Sequence, residues 1–149
     1  MARIRLVPPV YFLLSSLAMA GLHGLLPAAT LLRPPFSYAG AALMGLGLAI
    51  VLAAALRFKH YHTSVHPHHQ PSALVTDGPY RFTRNPMYFG MVFALLGIAA
   101  WLGGLTPFLV IPVFAWRIDR EFIRNEERRL SEAFGPAYED YRERVRRWL

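Results

Sequence analysis

Three long stretches without a charged residue dominate the hydrophobic pattern of the chain. Residues 6–32, 34–56 and 85–116 contain no Asp, Glu, Lys or Arg. A bilayer core takes about 20 apolar residues as helix, so the first two stretches are each long enough to cross it. The third is too long for one span and has Gly103-Gly104 near its middle, which predicts a turn within a helical hairpin. The pattern predicts an all-α integral membrane bundle of about four transmembrane helices.

Prolines and small residues predict where the helices begin and how they pack. The first helix is expected over about residues 8–31, with an interruption near Pro27. The second is expected over about residues 36–57, after Pro34-Pro35. In the second helix four small residues recur at every fourth position, which predicts a face where another helix of the chain packs closely. These residues are Ala41, Gly45, Ala49 and Ala53.

The segment after residue 116 is expected to form two further helices. They are separated at Phe134-Gly135-Pro136, because Gly suits the residue after a helix and Pro the first turn of the next one. The second of them should place four apolar or aromatic side chains on one face. These are Tyr138, Tyr141, Val145 and Trp148. We expect a single domain over residues 1–149, with two spans in 1–57 and a cofactor-binding core in 58–149.

The positions of the charges predict an orientation in the membrane and argue against a nucleic-acid partner. Net charge is +7, but from Arg117 onward nine arginines are nearly balanced by eight acids. The remaining excess flanks the spans, with four basic residues in 57–84 and none at the hairpin turn. Basic residues favour the cytoplasmic side. We therefore expect a multi-pass protein, for example of a bacterial inner membrane, with both termini and the 57–84 loop in the cytoplasm.

Glu126 stands out on a helical wheel of the first helix after residue 116. With Ile118 at zero, an arc of about 160° contains Phe122, Ala133, Leu130, Ile123 and Phe134. Glu126 falls near the centre of this apolar arc and Glu127 at its edge. A carboxylate there is costly without a partner. It forms either a structural ion pair or part of a pocket for a cationic or hydroxyl-bearing ligand, and periodicity alone does not choose between them.

The stretch DGPYRFTRNPMYFG, residues 77–90, predicts a turn followed by a helix start. Asn85-Pro86 combines a preferred N-cap with a preferred first helical residue. The free N–H groups and the dipole of that helix would then favour an anion such as a carboxylate. Tyr80 and Tyr88 would flank a planar ring there. The alternative is an ordinary interfacial start, since Tyr and Arg are common anchors at membrane edges.

A run of histidines raises a metal hypothesis, which we do not favour. His60, His62, His66, His68 and His69 belong to a tract of a type that binds Zn, Ni or Cu. Prolines break the segment, and it contains neither cysteine nor carboxylate. We predict no metal site. The mid-span His23 is expected to pack or to bridge helices rather than to catalyse.

Two motifs in order, SALVTDGPYRFTRNPMYFG and NEERRLSEAFGPAYEDYRERV, resemble the membrane-embedded isoprenylcysteine carboxyl methyltransferase family and its phospholipid methyltransferase relatives. The resemblance covers about residues 63–149 and implies an S-adenosylmethionine-dependent methyltransferase with a lipophilic acceptor. It implies cofactor contacts from three places in the chain. These are Ser72, Ala73, Leu74 and Val75; Tyr80, Asn85, Pro86, Met87 and Tyr88; and Glu126. Glu127 is the expected proton acceptor when the nucleophile is an amine.

The chain departs from that family at two positions, and these keep the acceptor open. Prenylcysteine enzymes have Arg-His-Pro where this chain has Arg84-Asn85-Pro86, which is closer to the phospholipid N-methylating branch. Their substrate-binding arginine, four residues before the first Glu of the pair, is Phe122 here. Arg120 or Arg124 is the expected substitute. Two other function classes stay open: a membrane NADPH-dependent reductase of similar core fold, and a non-enzymatic membrane protein that binds metal through its His-rich loop.

Overall fold

The computed structural model describes residues 7–26, 28–61 and 72–149. The named secondary-structure elements within these ranges are all helices. This confirms the predicted fold class. Short 3₁₀ turns at Phe36–Tyr38 and Gly78–Arg81 precede α2 and α3. The helices are α1 Pro8–Leu25, α2 Ala39–His60, α3 Pro86–Leu102, α4 Leu105–Phe108, α5 Val110–Ile118, α6 Arg124–Phe134 and α7 Pro136–Arg144.

The first helix ends just before Pro27, where an interruption was predicted, and the chain beyond it bonds to the turn after α3. α1 ends at Leu25 rather than near residue 31. The amides of Leu31 and Leu32 donate to the carbonyl of Gly103 at 2.7 and 3.1 Å, instead of to a preceding helical turn. Gly103 has φ 74°, a left-handed conformation that glycine adopts at no steric cost. The predicted hairpin turn is therefore confirmed, and it also anchors the chain that follows α1.

Glycines bring α2 and α3 into backbone contact. A Cβ built on Gly47 would lie 2.4 Å from the nitrogen of Ala94 and 2.5 Å from the carbonyl oxygen of Gly90. A Cβ on Gly97 would lie 2.4 Å from the nitrogen of Met44. Only residues without a Cβ allow two helices to approach this closely.

The predicted small-residue face of α2 is not the face that packs. Ala41, Gly45, Ala49 and Ala53 are all exposed, and nothing lies within 4 Å of a Cβ built on Gly45. The buried small residues of α2 are Gly40, Gly47 and Ala54, which are seven positions apart. The close intramolecular approach was correctly predicted, but a spacing of seven follows the contact seam between two helices better than a spacing of four.

A π-helical segment, Asp119–Ile123, joins α5 to α6. Such a segment holds one more residue than an α-helical turn, so the residues after it are rotated by about 100° relative to a regular helix. This explains why the predicted apolar arc is only partly correct. Ala133, expected on the apolar face, is exposed, while Glu127, expected at its edge, lines a cavity beside Glu126.

The break between the last two helices lies where it was predicted, but the last helix ends early. α6 ends at Phe134 and α7 begins at Pro136. Tyr138 and Tyr141 are buried together on α7, as expected. The helix stops at Arg144 and Val145 is extended, so a helical face reaching Trp148 was a wrong prediction. Trp148 instead packs against the core of the bundle.

Much of the apolar surface of the helices faces outward. In the part of the chain that the structure describes, one helix is long and apolar enough to cross a membrane by length and composition, Phe36–His60. Only 17% of its 18-residue apolar stretch is buried inside the protein. Pro86–Leu102 is also apolar but shorter. The arrangement of four spans remains a prediction.

Candidate functional site

A cavity of about 370 Å³ lies where α6 and α7 meet the other helices. It receives side chains from the beginning of α1, the second half of α2, residues 73–75, the beginning of α3, and both α6 and α7. All the lining residues from α1 and α2 are apolar, among them Pro8, Val51 and Phe58. The polar groups come from the later elements. The cavity is therefore suited to a ligand with one polar and one apolar portion.

Glu126 lies in this cavity and its carboxylate is hydrogen-bonded to a tyrosine. The Tyr88 hydroxyl donates to Glu126 Oε1 at 2.7 Å. Burial raises the pKa of Glu126 to about 7, although the hydrogen bond from Tyr88 and the charge of Arg129 act in the opposite direction. A carboxyl group with a pKa near neutrality is able to accept or release a proton under physiological conditions.

Glu127 also lines the cavity, but it is held by two arginines. Arg147 makes a forked contact with both of its oxygens, at 3.1 Å from Nε to Oε1 and 2.5 Å from Nη2 to Oε2. Arg84 Nη2 lies 3.2 Å from Oε1. Two guanidinium groups thus occupy lone pairs of both oxygens of Glu127. The role of Glu127 as a proton acceptor stays a prediction.

Arg84, Tyr80 and Tyr138 carry the unsatisfied polar atoms of the cavity, and the Tyr138 hydroxyl lies close to the Arg84 guanidinium. Arg84 Nε and Nη1 and the hydroxyl of Tyr80 are buried without a hydrogen-bond partner within the described structure, and the Arg84 side chain is only 10% exposed. Burial raises the pKa of Tyr80, so its hydroxyl remains a donor at neutral pH. Buried donors without partners are costly. Two guanidinium N–H groups and a phenol form a donor set that suits a carboxylate.

Asn85 lies at the predicted helix start, but its side chain does not cap the helix. α3 begins at Pro86 with Asn85 in the N-cap position and no side-chain cap bond. The Asn85 amide instead donates to the backbone carbonyl of Arg147 at 3.1 Å. The side chain of Asn85 therefore ties the cavity to the segment after α7, and the helical N–H groups are not covered by it.

Most of the residues predicted to contact a cofactor are brought together in this one cavity. Those that line it are Ala73, Leu74, Val75, Tyr80, Asn85, Met87, Tyr88 and Glu126, joined by Glu127. Ser72 and Pro86 are not part of the lining, although both neighbour residues that are. Their cofactor-binding roles stay predictions.

The two arginines predicted to substitute for the family's substrate-binding arginine do not reach the cavity lining. Arg120 lies over the ring of Trp116, 5.6 Å from its centroid. Arg124 pairs with Asp119 at 2.8 Å and is 64% exposed. Phe122 is buried, with its ring 5.6 Å from that of Tyr11 and 6.4 Å from that of Tyr88. An aromatic cluster fills this corner.

Sequence reasoning missed three residues that shape the site: Arg84, Tyr138 and Arg147. Arg84 directly precedes Asn85-Pro86, so its position in the motif was a usable signal. Tyr138 lines the cavity from α7. The sequence placed it only on the apolar and aromatic face of that helix, which was the one hint of its position. Arg147 is one of many arginines in a polar segment, and nothing in its local pattern distinguishes it.

The histidines bear little on this cavity. His62, His66, His68 and His69 lie outside the described residues, and His60 makes an edge-to-face contact with Tyr61, with ring centroids 5.4 Å apart. Within the described ranges no group of three or more His, Cys, Asp or Glu side chains is arranged to hold a metal ion. His23 packs close to Gly104, whose Cβ position is 2.9 Å from the imidazole Nδ1.

Comparison with known proteins places the chain in a family. The family profile of phospholipid methyltransferases matches residues 36–137 of the 149. The protein-S-isoprenylcysteine O-methyltransferase of Schizosaccharomyces pombe is 38% identical over 72 residues, 48% of this chain and 30% of that protein. Its probable counterpart in Oryza sativa subsp. japonica is 30% identical over 113 residues, 73% of this chain and 58% of that protein.

A bacterial relative is also similar, although its name carries no function. A protein of Haemophilus influenzae is 36% identical over 63 residues, which are 42% of this chain and all of that protein. The chain thus spans between a quarter and about three fifths of the length of the named methyltransferases it matches. The matched region includes the cavity residues from α2 to α6, and the chain belongs to the phospholipid methyltransferase family.

Proposed function

We propose that the chain is a membrane methyltransferase that uses S-adenosylmethionine to methylate a lipophilic acceptor at the cytoplasmic face of a membrane. The observation that carries the proposal is the composition of the cavity. It combines Nε and Nη1 of Arg84, which have no partner among the described residues, with the carboxyl of Glu126. The side chains that α1 and α2 add to the lining are all apolar. The names of the relatives support a methyl transfer, and the outward-facing apolar surface of α2 supports a membrane location.

The residues present fit this cofactor. Arg84 and Tyr80 offer donors for its carboxylate, while Glu126 in its charged form favours the cationic groups. When bound, the cofactor would supply a sulfonium methyl group, which a nucleophile attacks directly while the sulfur leaves as a neutral thioether. The apolar side chains from α1 and α2 exclude water, and they give room to the hydrocarbon part of an acceptor.

The cavity favours an amine or a neutral nucleophile over a carboxylate. Phe122 occupies the place where the family resemblance expects an arginine, and it is buried between two tyrosine rings. Arg120 and Arg124 lie outside the lining. With an amine as nucleophile, Glu126 is the group that takes up the released proton, because its pKa is near 7 and Glu127 is occupied by two arginines.

Calorimetric binding to the detergent-solubilised chain tests the proposal. We expect saturable binding of S-adenosylmethionine, and none of comparable strength for NADPH or Zn²⁺. Arg84→Gln should weaken this binding by about tenfold or more, because a charge-assisted hydrogen bond to the cofactor carboxylate is lost.

Arg142→Gln is the matched control, since Arg142 is 57% exposed on α7 and pairs only with Glu139 within the described structure. Absence of S-adenosylmethionine binding to the wild-type chain, or equal effects of the two substitutions, would overturn the proposal.

A further inference from the structure

Residues 145–148, here called the post-helix segment, follow α7 and are bonded to the loop in front of α3. Thr83 Oγ1 and the side-chain amide of Asn85 both donate to the backbone carbonyl of Arg147, at 2.9 and 3.1 Å. The backbone amide of Arg84 donates to the carbonyl of Arg146 at 2.9 Å. Three consecutive loop residues thus rest on this segment. Its position fixes the backbone of Arg84, whose Nε and Nη1 have no hydrogen-bond partner in the described structure.

The side chain of Arg147 also connects the post-helix segment to Glu127 and Asp119. It makes its fork with Glu127 and, through Nη1, contacts Asp119 Oδ1 at 3.1 Å. The Glu127 and Asp119 side chains are only 14% and 16% exposed. At sites so little exposed, a forked guanidinium–carboxylate pair is strong and directional.

The fork decides how Arg84 is able to bond to Glu127. Both carboxylate oxygens already receive N–H groups of Arg147, so Arg84 keeps a single contact, Nη2 to Oε1 at 3.2 Å. Its Nε and Nη1 are left without partners in the described structure. Without Arg147, both oxygens of Glu127 would be open to Arg84, and a guanidinium next to a free carboxylate takes up the forked geometry.

We propose that Arg147 is a positioning residue that keeps the Nε and Nη1 groups of Arg84 available to a ligand carboxylate, by occupying Glu127 itself. Arg147 does not line the cavity and acts only through Glu127 and Arg84. The inference rests on the proposed function, because the carboxylate in question is that of the methyl donor or its product.

Arg147→Lys tests the inference with little risk to the fold. Lysine keeps the positive charge between Glu127 and Asp119 but is a single point donor and makes no fork. One oxygen of Glu127 then becomes free for Arg84. The ligands are S-adenosylhomocysteine, which carries the carboxylate, and 5′-methylthioadenosine, which shares its nucleoside and thioether but lacks the amino acid. We expect Arg147→Lys to weaken S-adenosylhomocysteine about tenfold and to leave 5′-methylthioadenosine unchanged.

Two controls separate positioning from a merely structural role. Arg142→Lys, on an exposed face of α7, should change neither affinity. In an Arg84→Gln background, Arg147→Lys should have no further effect on S-adenosylhomocysteine, because the two residues act through one contact. Equal weakening of both ligands, additive effects in the double variant, or unchanged affinities overturn the inference. A wild-type chain that binds neither ligand overturns the proposed function itself and leaves nothing for Arg147 to position.

Discussion

Glu126 is the residue whose protonation the fold changes most directly. In the folded protein burial raises its pKa from 4.5 to about 7, so the folded state binds this proton more tightly than the unfolded chain. Its contribution to stability is complete below about pH 4.5 and is lost as the pH rises through about 7. The neutral form is therefore the one that the fold favours, and the charged form becomes available at the pH of the cytoplasm.

Glu126→Gln should abolish this dependence on pH. The amide mimics the neutral carboxyl, so the variant should gain stability relative to the wild-type chain between pH 5 and 8, by at most about 3 kcal/mol from a shift of this size. Thermal unfolding in detergent without ligand measures it. Glu132→Gln, at an exposed position of α6, should follow the wild-type curve. Parallel curves for wild type and Glu126→Gln would contradict the raised pKa.

For single residues, the sequence already identified Glu126 as unusual, but it did not show that Glu126 and Glu127 have different partners. Glu126 fell on an apolar helical face, and burial costs of a carboxylate follow from residue type alone. Glu127 is held by Arg84, 43 positions earlier in the chain, and by Arg147, 20 positions later. The contact with Arg147 is the bidentate one. No local pattern contains such contacts.

Among the helix pairs, the packing of α2 against α3 is sensitive to a single added Cβ atom. Gly47→Ala would bring a Cβ to 2.4 Å from the backbone nitrogen of Ala94, which cannot yield as a flexible side chain does. We expect a loss of about 2–3 kcal/mol and a lower Tm in detergent.

Gly45→Ala, in the same helix, is the control for this substitution. Nothing lies within 4 Å of its Cβ position, and alanine should be neutral or stabilising by up to about 1 kcal/mol through helix propensity. Equal losses at the two positions would show that α2 does not pack through Gly47.

Element boundaries were predictable where special residues mark them, and less so elsewhere. Gly103 and Gly135-Pro136 end or begin helices because of their own backbone preferences. The end of α1 at Leu25 lies two residues before Pro27, where an interruption was predicted. The π-helical segment Asp119–Ile123 carries no such mark. It shifts the register of α6 and thereby changes which of its side chains face the cavity.

For the whole molecule, the sharpest prediction concerns its orientation in a membrane. The chain has no cysteine, so single cysteines are clean reporters. Phe36 and Phe82 are each 73% exposed and lie at opposite ends of the α2–α3 pair. With the basic loop in the cytoplasm, a membrane-impermeant maleimide should label Phe82→Cys in inside-out vesicles and Phe36→Cys in right-side-out vesicles. Labelling of both from one side would contradict a spanning α2.

The sequence by itself determined that the chain is helical, with long apolar runs. It also determined the positions at which most helices end, and the motifs that identify the methyltransferase relatives. These properties depend on residue type and short-range spacing, because helix formation, turn geometry and hydropathy are local. Only the tertiary structure decided that α2 packs through Gly40 and Gly47, and that two N–H groups of Arg84 have no partner among the described residues. Those outcomes depend on which groups compete for the same atoms after distant segments meet. The fork of Arg147 on Glu127 is such a competition, and it is resolved only in the folded chain.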